Sequence, residues 1–120
     1  MKSLFDEVSA TCSKITTKRY STSFSLGILY FDTKIRQPIY SIYGFVRIAD
    51  EIVDSFHGYD KRRLLQHFKE EAYASIEQRI SLNPILNSFQ HAVHTYGIQM
   101  QWIDSFLDSM EMDLDKQSYN

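Results

Sequence analysis

The feature that most constrains the fold of this chain is a long apolar stretch that carries one narrow polar stripe. From Ile39 to Phe56 the side chains would be apolar around most of a helix, and the main exceptions are Tyr43, Arg47, Asp50 and Asp54. Their offsets of i, i+4, i+7 and i+11 place all four on one stripe of an α-helix. An ordinary surface helix has a broad polar face. The stripe therefore predicts a buried helix whose charges face a cavity and meet a ligand or an ion there.

Composition excludes several classes of protein. The chain has 120 residues and is 43% hydrophobic, which is enough for one modest domain with its own core. Its 13 basic and 15 acidic residues give a net charge of -2, which argues against a nucleic-acid binder. The single cysteine, Cys12, excludes an internal disulfide, so we expect a cytoplasmic protein in which this thiol packs. No signal peptide and no membrane-spanning run is visible.

The distribution of glycine, proline and apolar residues predicts a wholly α-helical chain. Period-two alternation is scarce, and long apolar-periodic stretches separate the few breakers. We expect six helices, with these boundaries: Leu4 to about Tyr20, with Leu4, Val8, Cys12 and Ile15 on its apolar face; Ser23 towards Leu29; a central helix capped by Asp32 or Thr33 and ending near Phe56; one capped by Asp60; one from Asn83 and Pro84 to Gly97; and one from about Gln99.

Asp50 and Asp54 are the strongest candidates for chemistry. At i and i+4 their carboxylates lie one helical turn apart, roughly 6 Å along the axis, and they repel each other unless a cation lies between them. Mg²⁺ prefers one or two carboxylates together with substrate phosphates. Glu51 points about 100° away and contributes only from the edge. Arg47 supplies a guanidinium suited to phosphate or to orienting a carboxylate.

A solvated acidic face is the plainer interpretation of these residues. In that case Arg47 simply pairs with Asp50, and no metal is involved. The flanking residues favour the metal site instead. They are apolar, so the helix has little surface that could form a solvated face; these residues are Ile48, Ala49, Ile52 and Val53.

Three segments together resemble one known family. The segment from Tyr43 to Asp54 resembles the first aspartate-rich motif of the squalene/phytoene synthase family. Upstream, the run from Tyr20 to Ser25 is similar to the family's hydroxyl-rich segment, commonly H-S-x-S-F, with Tyr20 where many members have His. Downstream, the run from Ser109 to Leu114 resembles the family's G-M-x-M-D-L segment, particularly its bacterial phytoene synthase form.

The resemblance implies a fold and a reaction. The fold is an all-α isoprenoid-synthase bundle with a central cavity. The reaction is the Mg²⁺-dependent, head-to-head condensation of two prenyl diphosphates through a cyclopropylcarbinyl diphosphate. Geranylgeranyl diphosphate and phytoene are the expected substrate and product, in carotenoid or related isoprenoid biosynthesis. Mn²⁺ is an alternative to Mg²⁺.

The resemblance also assigns roles to residues. It implies that Asp50 and Asp54 hold the metal against a diphosphate, with Glu51 in the second acidic position of the motif. Arg47 and Tyr43 would contact the diphosphate or the carbocation side of the cavity. The remaining substrate-binding residues that the resemblance implies are Ser21, Ser23 and Asp113.

The family also has a second aspartate-rich motif, which this sequence does not contain. We therefore expect residues 1–120 to form a single, incomplete helical domain, the N-terminal portion of a synthase, without turnover of its own. A non-enzymatic alternative remains open, in which the chain is a helical module that self-associates through exposed apolar helix faces or binds a partner. Peripheral membrane contact also remains open. A weaker alternative, a di-metal helix bundle, lacks the expected glutamate and histidine spacing.

Overall fold

The computed structural model describes residues 2–118, and its regular structure is entirely α-helical, as the sequence predicts. The six described helices are α1 (Lys2–Tyr20), α2 (Thr22–Ile28), α3 (Thr33–Asp54), α4 (Lys61–Gln78), α5 (Pro84–Tyr96) and α6 (Met100–Ser118). Met1, Tyr119 and Asn120 lie outside the described residues. None of the described helices is both long and apolar enough to cross a lipid bilayer.

Side-chain caps fix most of the helix boundaries. Ser21, Asp32, Asp60 and Asn83 occupy the N-cap positions of α2 to α5, and each side chain accepts a hydrogen bond from a backbone N–H of the first turn. Gly97 ends α5 in the left-handed conformation with φ of 64°. The predicted caps at Asp32, Asp60, Asn83 and Gly97 are thereby confirmed. The central helix ends at Asp54, slightly before the predicted end near Phe56.

The core is built around the ring of Phe45, which is fully buried in α3. This ring stacks on Phe89 of α5 at a centroid distance of 3.9 Å, on Phe68 of α4 at 5.6 Å, and contacts Phe106 of α6 at 5.5 Å. One side chain thus joins four helices. Such rings each bury a large apolar area, so the cluster is a principal source of stability.

The orientation of α1 differs from the prediction. The apolar positions Leu4, Val8 and Ile15 are 58%, 48% and 54% exposed. Among the described residues of α1, the buried ones are small and polar: Ser9, Ser13 and Thr17. Small side chains permit close approach of helices, and this face packs against α3 and α5. A face of small hydroxyl side chains rather than the apolar face is therefore the one that docks, and Ser9 finds a polar partner in Asn87 of α5.

The contacts of that hydroxyl face show why it is preferred. Asn87 of α5 is 1% exposed, and its Nδ2 donates to Ser9 Oγ at 3.1 Å and to Asp6 Oδ1 at 2.9 Å. The hydrogen bond from Lys2 and, after it, the one from Asn87 lower the pKa of Asp6. Gly44 of α3 lies so close to α1 that an added Cβ would be 3.2 Å from Ser13 Oγ. Larger apolar side chains on α1 would hold the two helices apart and break these bonds.

A tyrosine–aspartate hydrogen bond links α4 to α6. The hydroxyl of Tyr73 donates to Asp104 Oδ1, and the neighbouring Lys69 Nζ binds Glu111 at 2.9 Å. Burial and the Asp104 carboxylate raise the pKa of Tyr73 to about 12.

Replacement of Tyr73 should therefore weaken the packing of α6. Tyr73→Phe should lower the free energy of unfolding by about 1 kcal/mol, the usual net value of one hydrogen bond. Because folding raises the pKa of Tyr73, its neutral hydroxyl stabilises the folded state at pH values below the ordinary pKa of tyrosine. Wild-type stability should then fall as the pH rises from 10.0 towards about 12, and the variant should lack this part of the fall. Urea unfolding at a series of pH values measures both effects. Tyr59→Phe, at a site 73% exposed, serves as the control and should change neither quantity.

Candidate active site

The rotation of α3 places the predicted stripe on the side of the helix opposite Phe45. Successive residues of a helix are about 100° apart, so Tyr43, Arg47, Asp50 and Asp54 all lie within about 40° of the direction opposite that ring. The first three are half-buried and Asp54 is exposed. The predicted stripe thus faces away from the aromatic core, along the open side of α3.

Arg47 is held in place from three directions. Its Nη1 lies 3.1 Å from Asp50 Oδ2, and its Nη2 donates to Glu51 Oε2 at 2.9 Å. The ring of Tyr20 lies under the guanidinium, 4.8 Å from its carbon. Burial opposes the charge, yet Glu51 and Asp50 raise the pKa of Arg47. The cation is therefore both permanent and fixed in direction.

Glu51 faces Arg47 and not the Asp50–Asp54 pair. Its side chain is 13% exposed. Hydrogen bonding to Ser55 and to Arg47 lowers the pKa of Glu51 and keeps it ionised. Its predicted role as a metal ligand stays a prediction, and the role that its contacts support is the anchoring of Arg47.

Asp50 and Asp54 form a close carboxylate pair with a shortage of positive charge. Partial burial raises the pKa of Asp50, and the neighbouring Asp54 carboxylate raises it further, while Arg47 only partly compensates. Two ionised carboxylates on adjacent turns repel each other, and a bound cation relieves that repulsion. This arrangement suits a divalent cation.

The helix α2 adds an apolar wall beside the stripe. The ring of Phe24 stacks on Tyr43 with a centroid distance of 4.9 Å. Together they border a shallow groove of about 240 Å³ whose other lining residues on α3 are Ile39, Ile42 and Val46. A hydrocarbon placed in this groove would lie along the same helix as the carboxylate pair.

The remaining predicted substrate-binding residues lie at different distances from the stripe along the fold: Ser21 and Ser23 belong to the start of α2, and Asp113 belongs to α6. Ser21 caps α2, and its hydroxyl accepts a hydrogen bond from the backbone of Phe24 at 3.1 Å. It directly follows Tyr20, whose ring contacts the guanidinium of Arg47. Ser23 is exposed on α2, and Asp113 is exposed on α6. No hydrogen bond or ion pair within residues 2–118 joins Ser23 or Asp113 to the stripe, so their roles stay predictions.

The carboxylate pair fits a magnesium ion that keeps part of its hydration. Mg²⁺ is usually held by one or two carboxylates, with water and substrate phosphate completing its octahedron. Asp50 and Asp54 supply such a pair, and the pKa of Asp50 is raised first by burial and then by the neighbouring Asp54 carboxylate. Within residues 2–118 no group of three or more metal-binding side chains comes together. A fully protein-ligated metal site is therefore absent from the described part of the chain.

Two contacts of the site have no signal in the sequence. The tyrosine at position 20 stands out as a departure from the family's histidine, but its position under Arg47 depends on how α1 ends against α3. Phe24 is one of eight phenylalanines, and sequence alone cannot separate it from the core rings. Both contacts follow from the packing of α1 and α2.

Removal of one carboxylate should not harm the metal-free protein. Asp54→Asn removes a charge that raises the pKa of Asp50, so the free energy of unfolding should stay unchanged or rise by less than about 1 kcal/mol, since half-exposed charges are screened. Because the pKa of Asp50 is raised in the fold, wild-type stability falls as the pH rises through its titration. The variant should show a smaller fall. Thermal melts without divalent ions measure this.

A matched variant at an aspartate that has a cationic partner should change the free energy of unfolding in the opposite direction. Asp115→Asn removes the partner of Arg62, which lies 2.6 Å from Asp115 Oδ1, and should lower stability slightly. A clear loss of stability in Asp54→Asn would show that the carboxylate pair is not under repulsion.

Comparison with known proteins identifies the family of this chain. The family model for squalene/phytoene synthase matches residues 17–120. Presqualene diphosphate synthase of Rhodopseudomonas palustris is 30% identical over 81 residues, covering 67% of this chain and 28% of that protein. The chloroplastic phytoene synthase of Daucus carota is 28% identical over 125 residues, covering 97% of this chain and 29% of that protein. The chain thus spans less than a third of the length of these curated relatives, and no solved structure matches it. The chain belongs to the squalene/phytoene synthase family.

Proposed function

We propose that this chain supplies one wall of a prenyl diphosphate site that carries out the Mg²⁺-dependent, head-to-head condensation of two prenyl diphosphates. Geranylgeranyl diphosphate is the proposed substrate and phytoene the proposed product. The observation that supports the proposal is the juxtaposition, on one side of α3, of the Asp50–Asp54 pair, the fixed cation of Arg47 and the apolar groove beside Tyr43.

The charges suit a diphosphate. Arg47 presents a guanidinium held by Glu51 and by Tyr20, so it needs little reorganisation to accept phosphate oxygens. Asp50 and Asp54 would hold Mg²⁺, or Mn²⁺, which neutralises the diphosphate as it leaves. The metal held by the carboxylates and the guanidinium of Arg47 would thus bind the same diphosphate from two sides.

The apolar groove suits the hydrocarbon. Ionisation of a prenyl diphosphate yields a carbocation, which water would quench. Phe24 and Tyr43 present aromatic faces, whose negative electrostatic potential stabilises a nearby cation. The half-buried side chains of Ile39, Ile42 and Val46 keep this side of the helix poorly hydrated.

One carboxylate pair does not suffice for two diphosphates. Residues 2–118 hold no group of three or more metal-binding side chains. We therefore expect substrate binding by this chain, and no turnover by residues 1–120 alone.

Binding of geranylgeranyl diphosphate should depend on Mg²⁺ through the acidic pair. Titration calorimetry on the wild-type chain should show tighter binding when Mg²⁺ is present. Asp50→Asn and Asp54→Asn should each reduce that gain by about tenfold or more, because each removes a charged ligand. Arg47→Gln should weaken binding both with and without the metal, because its contact with phosphate is direct.

The control is a carboxylate away from α3. Asp108→Asn alters an acid 3.9 Å from Lys69, and it should retain the full gain. Retention of the gain in both Asp50→Asn and Asp54→Asn would contradict the proposed metal site.

The outward face of α1 favours a second candidate function, self-association. Leu4, Val8 and Ile15 lie on one stripe of the helix and are each about half exposed. Apolar side chains that share a helical face pack well against a second copy of the same face, since a two-fold axis makes the stripe self-complementary. The chain would then act as a helical module, independent of prenyl chemistry.

Sedimentation velocity tests this candidate. The wild-type chain should associate with increasing concentration, and Val8→Glu combined with Ile15→Glu should remain monomeric, because burial of the new charges is unfavourable. Leu82→Glu changes an isolated apolar side chain that is 91% exposed and should leave association intact. A wild-type monomer at all concentrations would rule this function out.

A further inference from the structure

A second groove lies where α1, α2 and the start of α3 meet. It has a volume of about 570 Å³, and it is lined by Lys14, Lys18, Thr22, Ser25, Leu26, Leu29, Thr33, Arg36, Gln37 and Tyr40. Thr22, Ser25, Leu26 and Leu29 share one side of α2, whereas Phe24 projects from the opposite side towards Tyr43. The groove therefore lies across α2 from the stripe of α3.

The groove is strongly cationic. Three of its lining residues carry positive charge, and no aspartate or glutamate lines it. Arg36 donates from Nε to Phe31 O and from Nη2 to Leu29 O, both at 3.0 Å, so its partners are neutral carbonyls. Lys14 lies over the ring of Tyr40 at 5.9 Å. The ion pairs found in residues 2–118 involve other cations and leave these three without a carboxylate partner.

Two hydroxyl groups that line the groove have no hydrogen-bond partner within residues 2–118. Tyr40 is 3% exposed and Ser25 is 8% exposed, and both line the groove. Neither hydroxyl forms a hydrogen bond within residues 2–118, and neither oxygen is fully shielded from the groove. A ligand with acceptor oxygens would therefore find two free hydroxyl donors in the groove.

The α2 side of the groove also presents two large apolar side chains. Leu26 and Leu29 are 59% and 53% exposed, although both are large aliphatic side chains. The next two residues, Tyr30 and Phe31, are 93% and 51% exposed and extend this apolar surface beyond the groove. Hydrocarbon would find a surface here next to the cations.

We propose that this groove binds a phosphate-bearing amphiphile, with the phosphate among Lys14, Lys18 and Arg36 and the hydrocarbon on Leu26 and Leu29. The hydroxyls of Tyr40 and Ser25 donate to phosphate oxygens. Ammonium and guanidinium groups with hydroxyl donors are the usual partners of phosphate in proteins. The volume lies within the range of small-molecule sites. The same head-group chemistry occurs in a free phosphorylated lipid and in the headgroup of an anionic phospholipid.

Titration of the wild-type chain with dodecyl phosphate below its micelle concentration tests the proposal. A chelator keeps divalent ions from the Asp50–Asp54 pair. Lys14→Gln combined with Lys18→Gln should weaken binding by about tenfold or more. Tyr40→Phe should also weaken it by about tenfold, the value of a hydrogen bond to a charged group. Because its hydroxyl has no partner in the fold, the melting temperature of Tyr40→Phe should not fall, and this separates ligand contact from a structural role.

Two control variants make the test specific. Lys34→Gln removes the same charge from a neighbouring cleft that also contains Asp6 and Glu7, and it should leave binding unchanged. Arg62→Gln removes a cation of α4 whose partner is Asp115, far from the groove in the chain, and it should also leave binding unchanged. Absence of binding overturns the proposal. It is equally overturned if Lys34→Gln weakens binding as much as the double variant, or if Arg62→Gln is the variant that abolishes it.

Vesicles distinguish the two sources of the ligand. Flotation with an equal mixture of phosphatidylcholine and phosphatidylglycerol, compared with phosphatidylcholine alone, reports on a membrane headgroup. Recruitment to the anionic vesicles that is lost in the double lysine variant supports the groove and assigns the headgroup as its ligand. Binding of dodecyl phosphate without vesicle recruitment supports the groove and assigns a free phosphorylated lipid.

Discussion

The contact of Phe45 with three other aromatic rings fixes the orientation of α3, and the position of the candidate site depends on that orientation. Because Phe68, Phe89 and Phe106 belong to α4, α5 and α6, the ring of Phe45 can rotate away only if all of these helices move. The rotational setting of α3 is therefore fixed from its buried side. The polar stripe on the other side of α3 is therefore also held rigidly. A preorganised electrostatic site requires such a rigid support.

A second constraint is the close approach of α1 to α3. Gly44 leaves room for Ser13, and this short distance lets the chain continue through Tyr20 onto the guanidinium of Arg47. It also places α2 so that one side, with Phe24, borders the stripe and the other borders the cationic groove. A glycine adjacent to Phe45 thus links the packing of the N-terminal helix to both candidate sites.

The sequence predicts the parts of this fold that depend on local rules. The caps at Asp32, Asp60 and Asn83 follow from side-chain chemistry within one turn, and the shared side of the stripe follows from helical periodicity. The orientation of α1 could not be predicted, because its hydroxyl face docks only when distant partners such as Asn87 are present. The position of Tyr20 under Arg47 depends in the same way on how α1 ends against α3. Local pattern describes each helix, whereas polar contacts between helices depend on tertiary structure.

The hydroxyl face of α1 has a consequence for dynamics. The fully buried side chains of this helix are two serines and a threonine, so little apolar area leaves water when α1 docks. Local opening of a helix costs what its own contacts contribute, and proteins open in such units well below the global unfolding free energy. The backbone amides of α1 should exchange with solvent sooner than those of α3. Each opening would also withdraw Tyr20 from Arg47. The electrostatic environment of Arg47 on α3 therefore varies with the docking of α1, although α1 carries neither Asp50 nor Asp54.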